Sequence, residues 1–156
     1  MAEIEIATEV KRPVEEVFKL VADIPNYSKW VSQISPMFID NKVSPPGPVG
    51  VGSTFEDKLQ FGRNVGKVIE YKPSERIVFK QKWYLDSHFA EARVEYYFEP
   101  VNGSTRLTHR FDVAPVEFFA PMEVVFTKLC RKERQLTCQA VKTTLEREID
   151  YKWFQN

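Results

Sequence analysis

Two cysteines and two histidines in 156 residues leave little from which to build a metal centre. Neither pair has the spacing of a zinc site, so no metal and no cofactor is expected. Charge of one sign is lacking as well: 22 basic residues balance 22 acidic ones, for a formal net charge of zero. That balance removes the global electrostatic case for nucleic acid or an anionic membrane surface as a partner. No stretch approaches the ~18 apolar residues that a membrane span needs. The opening Met1-Ala2-Glu3-Ile4-Glu5 has no basic patch followed by an apolar run, the mark of a secretory leader. Cys130 and Cys138 fall in a helical stretch, roughly 12 Å apart at 1.5 Å rise per residue, beyond disulfide reach. They read as reduced packing residues of a cytoplasmic protein.

Dedicated catalytic signatures are missing too. There is no nucleophile elbow, phosphate loop or dinucleotide fingerprint, and no serine stands in a triad context. Gly50-Val51-Gly52 is a turn before a strand. The basic cluster Lys128, Arg131, Lys132 and Arg134, broken by Glu133, reads as the solvated face of a helix and not as a nucleic-acid patch.

Aromatic residues, by contrast, are plentiful. Twelve Phe, six Tyr and three Trp make up 13% of the chain, enough to fill a core and line a pocket for a flat or greasy ligand. With 43% hydrophobic and 28% charged residues, the composition is that of one globular domain spanning residues 1–156.

Along the chain, Glu3 to Val10 alternates between Ile4, Ile6, Thr8 and Glu3, Glu5, Glu9, the period of a half-buried strand. Pro13 then suits a first helical position, with Val14, Val17, Phe18 and Val21 at helical spacing. Asp23-Ile24-Pro25 ends that helix. Asn26 can cap a second short helix, Tyr27 to Val31, in which Trp30 either anchors the helix or closes a cavity mouth. Turn residues then separate six candidate strands: Met37–Val43, Ser53–Phe61, Asn64–Tyr71, Arg76–Tyr84, His88–Glu99 and Ser104–Asp112. Asn102-Gly103 is a hairpin signal, and Pro115 closes the last strand. A long helix from Pro121 to Ile149 follows, about 40 Å in length. Its apolar stripe takes in Met122, Val125, Phe126, Leu129, Leu136, Ala140, Val141 and Leu145, and only the sheet can bury it.

This element order resembles the START-like, or Bet v 1-like, superfamily, in its polyketide cyclase/dehydrase-like (SRPBCC) branch. The resemblance rests on Arg12-Pro13-Val14-Glu15-Glu16-Val17-Phe18, on Asp23-Ile24-Pro25-Asn26-Tyr27-Ser28-Lys29-Trp30, on Gly50-Val51-Gly52-Ser53 and on the segment Val68 to Phe79. It implies an α+β helix-grip fold: a seven-stranded curved antiparallel sheet wrapped around a long C-terminal helix, with two short helices after strand 1. It also implies an elongated cavity between sheet and helix, used for lipids, hormones or polyketides and sometimes for catalysis.

The strand alternation identifies the cavity wall. In His88–Glu99 one face carries His88, Ala90, Ala92, Val94, Tyr96 and Phe98, and the two alanines leave room that larger residues would fill. Matching faces bring Phe55, Asp57 and Leu59; Ile77, Phe79, Gln81 and Trp83; and Leu107, His109 and Phe111. Phe126, Leu129 and Glu133 are the helix's contribution, although Glu133 fits a solvated position equally well. Asp57, Gln81 and His109 interrupt apolar rows, and a buried polar group needs a protein partner, solvent or a ligand. With an ordinary pKa near 6.5, His109 is the candidate proton carrier, with Asp57 as its orienting partner. The alternative is a core histidine bonded to backbone. His88 reads as a rim residue.

Three functions follow. The first is binding or carriage of a small hydrophobic molecule: a lipid, isoprenoid or aromatic polyketide. The second is a cyclase, aromatase or dehydratase working by proximity and acid–base chemistry in the same cavity. The third is a protein-interaction module with a vestigial pocket, which requires a filled interior rather than a cavity above ~300 Å³.

Overall fold

The computed structural model describes residues 2–31, 35, 37–86, 88–116 and 120–147. Seven strands form one antiparallel sheet in the order β1-β7-β6-β5-β4-β3-β2. They are β1 (Ala2–Val10), β2 (Phe38–Ser44), β3 (Thr54–Leu59), β4 (Arg63–Lys72), β5 (Arg76–Leu85), β6 (His88–Val101) and β7 (Ser104–Val116). Helix α1 (Val14–Ala22), a 3-10 turn (Ile24–Asn26) and helix α2 (Tyr27–Trp30) follow β1, and helix α3 (Ala120–Glu146) follows β7. This is the helix-grip arrangement expected from the element order.

Each connection has a local cause. Asn102 and Gly103 both take positive φ, 50° and 81°, as a tight hairpin turn demands, and so β6 returns directly as β7. Pro115 does not close β7, which continues to Val116 with Pro115 opposite Ala90 of β6. The described pairing of β7 with β1 reaches only Val113, so Pro115 interrupts no described β1–β7 bond. Pro13 stands at the N-cap of α1, one place before the expected first helical position. Asn26 does not cap α2 through its side chain; its amide donates instead to Asp23 at 2.7 Å. The expected end of the last helix, Ile149, lies outside the described residues, as does the Met122 side chain.

Helix α1 lays Val17, Phe18, Leu20 and Val21 into the core. The Phe18 ring meets Tyr71 and Phe98 edge-on at 5.4 and 5.1 Å. Trp30 is 2% exposed and packs edge-on against Tyr27, whose hydroxyl donates to the Val21 carbonyl. Trp30 is thus an anchor for α2.

Helix α3 packs chiefly on β1. Val141 and Leu145 are fully buried. Lys142 Nζ donates to the Glu9 carbonyl at 2.9 Å, and Glu146 accepts from the Lys11 amide at 2.9 Å. The first half of α3 is different. Val125 and Leu129, assigned to the buried stripe from sequence, are 59% and 61% exposed. The inward row runs instead through Phe126, Cys130, Arg134, Thr137 and Val141, at steps of three and four. Apolar counting placed Phe126, Ala140, Val141 and Leu145 on the inward side but erred at Val125 and Leu129, because Arg134 and Thr137 interrupt the apolar row.

Gly66 sits opposite Phe55 in the β3–β4 register. A Cβ there would come within 2.2 Å of Phe55 Cζ, so the missing side chain is what lets that ring lie flat over the strand. Gly66→Ala is expected to lower stability by about 1–3 kcal/mol through overpacking. Urea denaturation measures the loss, and an unchanged midpoint would contradict the close approach.

Candidate functional site

Between the concave side of β3–β7 and the first half of α3 lies a half-open cavity of about 290 Å³. That volume is at the lower edge of the ~300–1,000 Å³ common for small-molecule sites. It falls just under the ~300 Å³ above which a vestigial pocket on an interaction module is excluded. The interior is nevertheless not filled.

The strand alternation places most of the expected wall. Phe55, Asp57 and Leu59 of β3, Phe79, Gln81 and Trp83 of β5, and Ala90, Ala92 and Val94 of β6 all line the space. Phe126, Leu129 and Glu133 line it from α3. Trp83 and Phe126 face one another with ring centroids 5.3 Å apart, joining sheet to helix at one end.

Leu107 and His109 are the corrections: both are fully buried, and neither is among the lining residues. In register, Phe111 and Val113 stand opposite Val94 and Ala92, and it is these two that complete the β7 wall. His109 lies one inward position further along, opposite Tyr96 and beside Ile6 of β1, in the region α3 covers tightly. Its ring stacks on Tyr96 at 4.2 Å, and its Nδ1 is 3.1 Å from the Glu95 carbonyl oxygen. Burial, with the Arg134 charge adding to it, pushes its pKa down to about 3, so the imidazole stays neutral at physiological pH. Three strands separate β7 from β3, and Asp57 does not orient it.

Asp57 is the titrating group the cavity does contain. It is 8% exposed, and Oδ1 has no hydrogen-bond partner. Burial raises its pKa to about 7, against the lowering influence of Arg134 and of a hydrogen bond from Asn64, its register partner on β4. Glu133 is turned inward and accepts a hydrogen bond from the Ser35 hydroxyl. Burial also pushes up the Tyr27 and Tyr96 hydroxyls and, to about 11, the Cys130 thiol, so all three remain protonated.

Lys128, Arg131 and Lys132 are exposed, as expected of a wet helix face, and Arg134 is the exception. It lines the cavity, with its guanidinium carbon 4.9 Å above the Phe111 ring. Its signal was present in the sequence as the i, i+4 row Phe126, Cys130, Arg134. Tyr27 was missed for another reason: a four-residue helix has no periodicity to read. Among the described residues, no group of three or more His, Cys, Asp or Glu side chains could hold a metal ion. Among them, too, no helix is long and apolar enough to cross a membrane.

Residues 1–146 match the family described as polyketide cyclase / dehydrase and lipid transport. No curated protein matches the sequence. Solved structures share the fold. The Zhui aromatase/cyclase from Streptomyces sp. R1128 has a TM-score of 0.75 at 14% identity, over 95% of each chain. A START superfamily protein from Mycobacterium smegmatis has a TM-score of 0.70 at 16% identity, over 92% of this chain and 97% of that one. The Aha1 dimer from Colwellia psychrerythraea has a TM-score of 0.66 at 17% identity, over 94% of this chain and 97% of that one.

The Asp57 carboxyl makes stability depend on pH. A carboxyl with a pKa of about 7 in the fold and about 4 unfolded contributes fully below pH 4, and that contribution is lost as pH rises to 7. Asp57→Asn, which cannot ionise, is expected to gain on wild type over this window, by roughly 3–4 kcal/mol once Asp57 is ionised. Urea denaturation of both proteins near pH 4 and pH 8 reads the difference. An equal gap at the two pH values would contradict the desolvated carboxyl.

Proposed function

The chain belongs to the polyketide cyclase/dehydrase and lipid transport family, and from that premise we propose that it binds a small hydrophobic molecule in the space between the sheet and α3. A lipid, an isoprenoid or an aromatic polyketide is the class of ligand. The observation that carries the reading is an unfilled apolar wall interrupted by a few polar groups, chiefly Asp57, Gln81 and Arg134. Affinity comes from apolar area removed from water, at about 25 cal/mol per Å² before the costs of binding. Ala90 and Ala92 supply the room, since a larger side chain at either would occupy it. We place this carrier in the cytoplasm, with Cys130 and Cys138 as free thiols.

A second reading has one specific observation in its favour. A buried carboxyl with a pKa of about 7 is matched to general acid–base work at neutral pH. In a cyclase, aromatase or dehydratase, Asp57 rather than His109 moves the proton while the walls fold the substrate.

Native mass spectrometry of protein purified from its expression host, followed by organic extraction, tests the first reading. Wild type is expected to retain an apolar species, and Ala92→Trp to lose it by about tenfold or more while its melting temperature stays close. Retention undiminished in Ala92→Trp would move the ligand out of this cavity. The same extracts separate the two readings. Carriage predicts one and the same molecule from wild type and Asp57→Asn. Catalysis predicts an unconverted precursor from the variant.

A further inference from the structure

Arg134 is half-buried, and a guanidinium set against apolar walls gives up part of its hydration. Arg134 is the only cation among the described residues that line the cavity. Its guanidinium rests on Phe111, and no ion pair holds it among those residues. The neighbouring Glu133 is engaged by Ser35. Asp57, more than nine-tenths buried, faces the same space with Oδ1 unpartnered. Around these two groups stand Phe55, Phe79 and Val94.

Burial dominates at each titrating group around the cavity, and beyond it the Arg134 charge acts on Asp57, Tyr96 and His109 as well as on Tyr27 and Cys130. The cavity therefore sits in the field of a cation and next to a carboxyl with an empty hydrogen-bonding position. An uncharged hydrocarbon would satisfy neither group. An oxygen anion on an apolar body would satisfy both, because guanidinium pairs with planar oxyanions through two parallel hydrogen bonds and a protonated carboxyl donates one more.

Resting on the reading that this cavity holds a small hydrophobic molecule, we infer that its ligand carries an oxyanion, paired to Arg134 and contacted by Asp57. Two sources supply that chemistry: a carboxylate on an alkyl chain, or one on an aromatic ring system.

Two fluorescent probes with the same ring system provide the test: anilinonaphthalene sulfonate, which is anionic, and N-phenylnaphthylamine, which is neutral. Wild type is expected to prefer the anionic probe by about tenfold or more, the scale of a charge-assisted pair. Arg134→Met brings the two affinities to within about twofold by weakening the anionic probe alone, and Arg134→Lys keeps most of the preference. Ala92→Trp lowers both, which places the probes in the cavity. If both probes bind wild type without preference, or Arg134→Met leaves the preference intact, the oxyanion inference falls and the cavity reading stands. If neither probe binds, or Ala92→Trp affects neither, the cavity reading falls and the inference with it. The wild-type ratio decides even if Arg134→Met does not fold. Displacement of the anionic probe by dodecanoate rather than 2-naphthoate assigns the alkyl source; the reverse assigns the aromatic one.

Discussion

The second half of α3 is held to the β1 side of the sheet by fully buried Val141 and Leu145, and its end is tied to the β1–α1 corner through Lys142 and Glu146. With the helix fixed there, its direction fixes where the first half runs. That half crosses the concave face of the sheet with Phe126, Cys130 and Arg134 inward, touching β5 through Phe126 on Trp83 and β7 through Arg134 on Phe111, and the cavity is the space left between these contacts. A helix with Leu or Phe throughout its inward row would have sealed the face, as interiors ordinarily are sealed.

The polar groups around the space are costly to stability taken singly. Asp57 lacks a partner for one oxygen, and His109 lacks one for Nε2. Their histories in the fold differ, however. His109 is fully buried, stacked on Tyr96 and held at Nδ1, so its burial is part of the close-packed region under α3. Asp57 and Arg134 stand at the edge of unfilled volume, where an unsatisfied group can still meet something from outside. Position relative to that volume, more than chemical type, separates a polar residue sealed in the core from one open to a ligand.

Structural likeness does not choose among functions. An aromatase/cyclase, a START superfamily protein and the Aha1 dimer all superpose on this chain at identities of 14 to 17%. The sheet and its long helix are a frame, and the chemistry lies in what faces the space between them. Among the described residues of this chain that is a largely apolar wall with one cation, Arg134, and a buried carboxyl, Asp57, with a pKa of about 7.

The sequence by itself determined the α+β class, the seven strands and their approximate limits, the hairpin at Asn102-Gly103 and the inward face of β3, β5 and β6. These depend on period-two alternation and turn chemistry, which act over a few residues and are written directly in the chain. It did not determine where along β7 the wall ends, since Leu107, His109, Phe111 and Val113 share one face and alternation cannot rank them. Nor did it reveal the inward row of α3. Helical phase is read from apolar residues, and in Phe126-Cys130-Arg134 the decisive residue is a charge that sequence alone sends to solvent. Only the tertiary structure decided both, because both turn on how far α3 stands from the sheet. The helix meets the sheet through residues far apart in the chain: its end is tied to the β1–α1 corner more than a hundred residues away, and its first half touches β5 and β7.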